Sequence, residues 1–324
     1  MKSSFSSKPP KSKPMNYPNG IDFSPEDFKI RASAAYNITI GMKASLTEKE
    51  QADLDKLYAK DAGLVLHGTT KKPLKMSDND RIKLGSLLAK KKAIANPKLS
   101  KTAMTLCNDW IRAKYFDQMA DFHNKYTTKG TKVEPEAIKV LSGYMDRPLL
   151  VPYSGKRKSD EFKTGMIDAW QPDYGLDVKA PYTAFTHPLF DWELQSNIYA
   201  DQGVVYCDLY DRDWWCFAYV LMDAPAEVIE KECWFEVRNR GGATITNEIY
   251  DRVKKRLTYS NQPLEKRIRL FWVKRDDERV QLIHTATELC RKYIHEQMLS
   301  LGRKNQIVPP GMEITSDFLT PLAA

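Results

Sequence analysis

The chain has 324 residues, 42% hydrophobic and 28% charged, the balance of an ordinary globular protein with enough length to bury a large core. Fifty Lys+Arg against 42 Asp+Glu leave a net charge of +8 and a pI near 9.0, which favours a polyanionic partner. The longest apolar run, Trp214 to Met222, is too short to span a bilayer; with no apolar signal core at the N-terminus, an intracellular, cytoplasmic location is expected.

The first twenty residues carry Lys2, Lys8, Lys11 and Lys13 and no acid. Such a segment cannot bury enough apolar surface to order itself. A basic tail over residues 1–23 is expected, either simply solvated or a loose electrostatic arm. Ser24-Pro25-Glu26-Asp27 then signals a helix start. A second helix runs from Leu46-Thr47-Glu48 to about Lys60, with Leu54 and Leu57 on one face. Residues 81–101 hold Arg81, Lys83, Lys90, Lys91, Lys92, Lys98 and Lys101 without one acid. That run is either a solvated face or a track for backbone phosphates.

Thr102 to Asn124 reads as one helix, with Trp110, Ala113, Met119, Ala120 and Phe122 toward the core and His123 at its end. Another helix carries Glu134 in its first turn and runs to about Ser142, with Ala137, Ile138 and Leu141 inward. Tyr153 to Lys158 forms a basic turn whose Lys156 and Arg157 can touch backbone phosphate. It leads into a strand starting at Phe162.

The most informative stretch is Gly165 to Pro181. Two apolar segments flank the turn residues Pro172, Asp173 and Gly175, the pattern of two strands joined by a short loop. Alternation puts Asp177 and Lys179 on one face, with Leu176 and Val178 on the other, toward a core. With a loop from Gln171 to Tyr174, Asp168 stands opposite Asp177. Like charges opposed across a strand pair are destabilising, by roughly 0.2–1 kcal/mol. A divalent cation between them would relieve that cost, and Mg²⁺ takes hard oxygen ligands of this kind. A lysine beside it can hold an attacking water and offset phosphate charge. Any Asp-x-Lys on a solvated strand can also be an ordinary surface pair.

Downstream, a loop from Pro181 to Pro188 precedes a helix with Gln195 and Tyr199 on one face; the pair could equally sit at a packing seam. Val204 to Tyr210 and Trp214 to Met222 read as a hairpin extending the sheet. A helix follows Pro225, and Thr246 to Leu257 is a basic helix with Arg252, Lys254, Lys255 and Arg256. Ile268 to Val273 is a strand. Asp276 to Leu299 is a closing amphipathic helix with Val280, Ile283, Ala286, Cys290 and Ile294 near its inner stripe. Residues 301–324 show no periodicity and are expected to be a flexible tail. The five cysteines are dispersed and lack a Cys-x-x-Cys pair, as reduced thiols are.

Asp168 followed, after a short turn, by Asp177-Val178-Lys179 resembles the signature of the PD-(D/E)XK nuclease superfamily. More narrowly it is similar to the phage-type exonucleases, the YqaJ and lambda-exonuclease group. Gly130 followed by Glu134-Pro135 resembles that group's glycine and Glu-Pro on a helix before the core sheet. This spacing selects Glu134 over the equally acidic Glu136. Gln195-Ser196-Asn197-Ile198-Tyr199 matches the group's Gln-x-x-x-Tyr helix.

The resemblance covers residues 24 to 300. It implies an α/β fold, a central mixed β-sheet flanked by helices of the restriction-endonuclease type, with an N-terminal helical subdomain. It also implies a single nuclease domain over residues 24–300, mainly helical to residue 128, and catalytic from residue 129.

The implied activity is Mg²⁺-dependent hydrolysis of DNA phosphodiesters from a duplex end, as in phage recombination or replication, with Mn²⁺ as a substitute. Asp168, Asp177, Glu134 and the Val178 carbonyl would hold metal, Lys179 would orient the water, and Gln195 would position the water or the scissile phosphate. Arg31 and Ser33 resemble residues that grip a terminal phosphate, although a surface arginine and a helix-cap serine fit the same positions. Lys90, Lys91, Lys92, Lys156, Arg157 and Tyr199 are the other expected DNA contacts. Implied partners are DNA, a single-strand annealing protein and further copies of the chain in a ring-shaped trimer. An endonuclease of the same superfamily, or a DNA-binding protein with an inactive core, would share most of these features.

Overall fold

A computed structural model describes residues 22–118, 125–145, 151–153, 155–171, 173–190, 192 and 196–301. In chain order its elements are β1 (Ile30–Arg31), α1 (Ala35–Thr39), α2 (Glu48–Asp61), α3 (Asp78–Ala95), α4 (Lys101–Tyr115), α5 (Lys125–Tyr144), β2 (Val151–Pro152), β3 (Lys158–Ser159), β4 (Lys163–Gly165), β5 (Ala169–Trp170) and β6 (Gly175–Lys179). Then come α6 (Ser196–Tyr210), β7 (Trp214–Val220), α7 (Ala226–Asn239), α8 (Asn247–Arg256), α9 (Leu264–Arg267), β8 (Ile268–Lys274) and α10 (Asp277–Leu301). None of the described helices is long and apolar enough to cross a membrane. Of the expected tails, 1–23 and 301–324, residues 1–21 and 302–324 lie outside the described residues, as does Gln195. The tail bound at residue 23 is corrected, because Phe23 is buried against Trp110, and Leu301 ends α10.

The larger sheet has the order β2-β5-β6-β7-β8. It is mixed: β5 and β6 are antiparallel, β6 and β7 parallel, β7 and β8 antiparallel. Helices cover both faces, so the architecture is the expected α/β one. Leu176, Val178, Cys216, Ala218 and Val220 pack with Val133, Ala137, Ile138 and Leu141 of α5. Trp215, Phe217 and Tyr219 pack on the opposite face with α6, α1, α4 and α10.

The expected hairpin over Val204–Tyr210 is absent; those residues are the C-terminal half of α6. Parallel strands β6 and β7 cannot be joined by a tight turn and need a crossover, which α6 supplies. Val204, Val205, Tyr206 and Cys207 are all buried because α6 packs against β7 and β8 as well as α1 and α10. A continuous apolar run of this length does not distinguish a buried helix from a buried strand.

Three further expectations are corrected. The helix expected over Thr102–Asn124 stops at Tyr115, where Asp117 takes a left-handed φ of 48°. The amides of Asp117 and Gln118 turn back to Lys114 and Ala113, closing the helix end. Met119, Ala120, Phe122 and His123 are outside the described residues. The next helix begins at Lys125, so Glu134 lies mid-helix and not in a first turn, with Pro135 inside the helix. Pro135 has no N–H to reach the Thr131 carbonyl, a local weakening of the helix. The strand expected from Phe162 is divided. Residues Lys163–Gly165 pair with β1 and β3 in a separate three-stranded sheet, and only Ala169–Trp170 join β6.

The Ser24 signal leads to a single three-residue 3-10 turn, Pro25–Asp27. Helix α2 follows its expected bounds closely, and Leu54 and Leu57 meet Leu87 of α3 in a small core of their own. Strand β8 and helix α10 also lie where the periodicity puts them. All five cysteines are buried and none is in a disulfide.

Gly175 is required by close approach. It faces Trp215 in the parallel ladder, and a Cβ there would sit 1.7 Å from a carbon of that fully buried indole. Replacing Gly175 by Ala is expected to cost at least ~1–3 kcal/mol through overpacking, read from the urea midpoint. An unchanged midpoint would mean that the Trp215 ring moves aside freely.

Candidate functional site

The β5–β6 register pairs Ala169 with Leu176, so one position further Asp168 stands opposite Asp177, as the loop length predicted. The backbone of Asp168 is held from one side, its carbonyl accepting from Tyr153 N–H at 2.9 Å. Its side chain reaches across the pair, Oδ2 accepting from Val178 N–H at 2.8 Å. Asp177 is 2% exposed. Its Oδ1 accepts from Gln202 Nε2 at 3.2 Å, and its Oδ2 forms an ion pair with Lys179. Lys179 lies two residues along β6 on the same face, beside the rings of Tyr199 and Phe217 at 5.6 and 5.9 Å. Glu134 approaches from α5, close enough to feel both Asp177 and Lys179.

Electrostatically the group is crowded. Burial, and next the charge of Asp177, push the Asp168 carboxyl up to about 8. Burial, then Asp177, also raises Glu134, while Lys179 pulls it down. For Lys179 burial favours the neutral amine, but Asp177 and Asp168 together outweigh it and the ammonium is held more firmly than usual. Carboxylates kept in this state are short of positive charge.

Asp168, Asp177, Glu134 and the Val178 carbonyl are hard oxygen donors that fit a Mg²⁺ or Mn²⁺ ion completed by water. Asp177 Oδ2 is turned to Lys179, so metal binding there would require Lys179 to yield that oxygen. Among the described residues, three ligand atoms within 4.8 Å of one another occur elsewhere, at Asp160, Asp208 and His284. The Lys163 ammonium already occupies that cluster, 2.7 Å from Asp208 Oδ2, 2.8 Å from His284 Nε2 and paired with Asp160. This is a structural knot with its own cation.

Above Lys179 opens a cleft of about 1010 Å³, lined by Gly130, Glu134, Val178, Lys179, Tyr199 and Trp192 among others. A Cβ on Gly130 would meet nothing within 4 Å, so the glycine leaves that wall of the cleft open. Beneath the cleft lies Lys129, fully buried, whose Nζ donates to the carbonyls of Pro181 and Tyr182 at 2.9 and 3.0 Å. Burial lowers it to about 8. It ties the helix bearing Glu134 to the loop that follows Lys179.

Tyr199 reaches the cleft, its ring tilted on Phe217 at 5.2 Å. Gln202, missed in the sequence, sits three residues further along α6 and also contacts Tyr206 Oη at 3.4 Å. The signal was present, since Tyr199, Gln202 and Tyr206 share one helical face, but the hairpin reading concealed it.

The remaining expected contacts are dispersed. Arg31 and Ser33 are exposed on either side of buried Ala32, where β1 pairs with β4, and neither lines the cleft. Lys156 and Arg157 are exposed between β2 and β3. The basic run is not free of acids in space, because α2 lies beside α3. Lys90 pairs with Glu50 at 2.6 Å and Lys83 with Asp53 at 2.9 Å, and the Lys90 contact lowers Glu50 to about 2. Lys91 and Lys92 remain exposed. On α8, Arg252 is engaged by Glu236 and Glu248, and Arg256 by Glu232.

No family model matches the chain, and no curated protein matches it. Among solved structures it is similar to a phage-related exonuclease from Haemophilus somnus 129PT, with a TM-score of 0.57 and 22% identity, over 85% of this chain and 96% of that one. It is also similar to the alkaline exonuclease LHK-Exo from Laribacter hongkongensis, with a TM-score of 0.45 and 11% identity, over 85% and 92% of the two chains. The structural neighbours are phage-related and alkaline exonucleases, and the fold is the one that the motifs of residues 130–179 predicted.

Proposed function

We propose that this protein is a metal-dependent deoxyribonuclease that removes nucleotides from an end of duplex DNA. The observation that carries this reading is the placing of Asp168 opposite Asp177 beyond the β5–β6 register, with Lys179 paired to Asp177 and lining an open cleft together with Glu134. A site for small apolar ligands would not gather three carboxylates and a lysine whose charges strain one another.

In this reading Asp168, Asp177, Glu134 and the Val178 carbonyl hold Mg²⁺. The bound ion would supply charge for the phosphate and acidify a water. Lys179, its ammonium strengthened by the carboxylates around it, orients that water and offsets charge on the scissile phosphate. Gln202 holds Asp177 from behind, and Gln195 positions the water or phosphate. Arg31 and Ser33 would engage a 5′-terminal phosphate, while Lys156, Arg157 and Tyr199 contact the strand. The likeness in fold to the Haemophilus somnus exonuclease supports an exonuclease over an endonuclease. A single-strand annealing partner, a ring of several copies and a role in phage recombination belong to the same proposal.

The test is digestion of end-labelled linear duplexes beside closed circles, with Mg²⁺ or with chelator. Linear DNA should be degraded only with Mg²⁺ and circles left whole. Cutting of circles would make the protein an endonuclease, and no Mg²⁺-dependent cutting of either would remove the nuclease reading.

Affinity should fall steeply with salt. Neutralising Lys91 and Lys92 together is expected to flatten the slope of log K against log salt by up to about 1.8, at roughly 0.9 per phosphate contact. Lys90, already paired with Glu50, should contribute less. A slope that does not change would mark this stretch of α3 as solvated surface.

A further inference from the structure

Phe185 is 95% exposed, yet the turn that carries it is firmly built. Thr183 N–H donates to Thr186 Oγ1 at 3.0 Å, and Thr186 Oγ1 donates back to the Thr183 carbonyl at 3.0 Å. Ala184 N–H donates to Tyr259 Oη at 3.1 Å. Just before the turn, Lys129 clamps the carbonyls of Pro181 and Tyr182, and Tyr182 Oη donates to Glu232 at 2.8 Å. The flanking residues Tyr182 and His187 are buried, at 7% and 6% exposure.

An apolar ring left in water on such a rigid support contributes nothing to the fold. Trp192, 77% exposed, lines the same cleft, its ring parallel to that of Phe190 at 4.7 Å and 3°. The cleft thus has a charged floor at Glu134 and Lys179 and flat aromatic faces at its mouth.

With the carboxylates neutralised by the metal ion of the reading above, the floor takes a phosphate. A ligand that matches floor and mouth then carries anionic groups alternating with planar aromatic ones, which describes a single strand of nucleic acid. Bases stack on aromatic side chains whatever their sequence, but only when unpaired, since in a duplex their faces are already covered. We infer that Phe185 and Trp192 form a stacking ledge for unpaired bases next to the phosphate entering the site. This rests on the nuclease reading above and goes further, to unpaired bases held on named aromatic rings beside the site.

The test measures binding of short single-stranded DNA to the Asp177→Asn protein without metal, so that no cleavage is needed. Phe185→Ala and Trp192→Ala should each weaken binding about tenfold, as the loss of a base stack does. Phe185→Tyr and Trp192→Phe should restore it. An oligonucleotide with abasic sites near its end should bind the unsubstituted ledge as weakly as the intact oligonucleotide binds the doubly substituted one. Both rings are largely exposed, so unchanged melting is expected and serves as the folding control.

Affinities unmoved by Phe185→Ala and Trp192→Ala, or indifferent to abasic sites, would overturn the ledge even if the protein digests linear DNA. Substitutions that alter only the number of associated copies would overturn it too, by making this face an interface. A protein that neither binds nor cuts DNA would instead fail the nuclease reading itself.

Discussion

Asp177→Asn is expected to abolish DNA cleavage, by on the order of a thousandfold or more, while the protein folds normally. A neutral amide is a poor ligand for Mg²⁺, and the proposed chemistry has no second group to replace it. The fold should tolerate the change because the amide keeps an oxygen for Gln202 Nε2. It also removes a charge that raises Asp168 and Glu134. Melting should therefore stay level or rise in the metal-free protein, a function-for-stability exchange common at active sites.

Lys179→Met should abolish cleavage as completely but with the opposite effect on stability. It strips the nearest counter-charge from Asp177, which is 2% exposed, and leaves a buried carboxylate uncompensated. Cleavage retained in either variant would remove these residues from the proposed site. Equal melting shifts in the two would contradict the electrostatic account.

The second large effect is a dependence of metal binding on pH. Asp168 in the metal-free protein is raised to about 8, first by burial and then by Asp177. Below that pH a metal ion must displace a proton to gain this ligand, so apparent Mg²⁺ affinity should rise up to about tenfold per pH unit and level off near pH 8.

Linkage fixes a companion sign. The folded carboxyl keeps its proton through a range in which the unfolded one, near 3.8, has lost it. Stability in chelator is then greatest below pH 4 as far as this group is concerned, and it is lost as pH rises toward 8. Asp168→Asn should flatten that fall, and saturating Mg²⁺ should reverse it. Lys129, lowered to about 8 by burial, acts the other way and higher up: its burial costs least once neutral, so its contribution improves from pH 8 toward 10.5. Calorimetric titration of Mg²⁺ between pH 5 and 9 and urea unfolding from about pH 4 to 10 measure both. Affinity independent of pH over 5–8 would show that Asp168 is ionised before the metal arrives.

The chain determined by itself the strand-turn-strand from Asp168 to Lys179. Two apolar stretches, a four-residue turn and period-2 alternation are local quantities, and they were enough to place the two aspartates opposite each other. Helices α2, α8 and α10 and strand β8 were legible for the same reason, each carrying its own period or cap. The acid pattern with Gly130 and Glu134 identified the fold through resemblance, before any contact was known.

Tertiary structure decided everything that depends on a neighbour distant in sequence. Val204 to Cys207 is apolar on every side because sheet and helices enclose it, and enclosure erases the periodicity that separates helix from strand. Gln202 became part of the site only once that segment was a helix. Lys90 and Arg252 looked like free cations until α2 and α7 brought acids against them, since charge pairing across elements leaves no mark on spacing. Lys129 follows the same rule: it is buried because two carbonyls of the loop after β6 receive its ammonium.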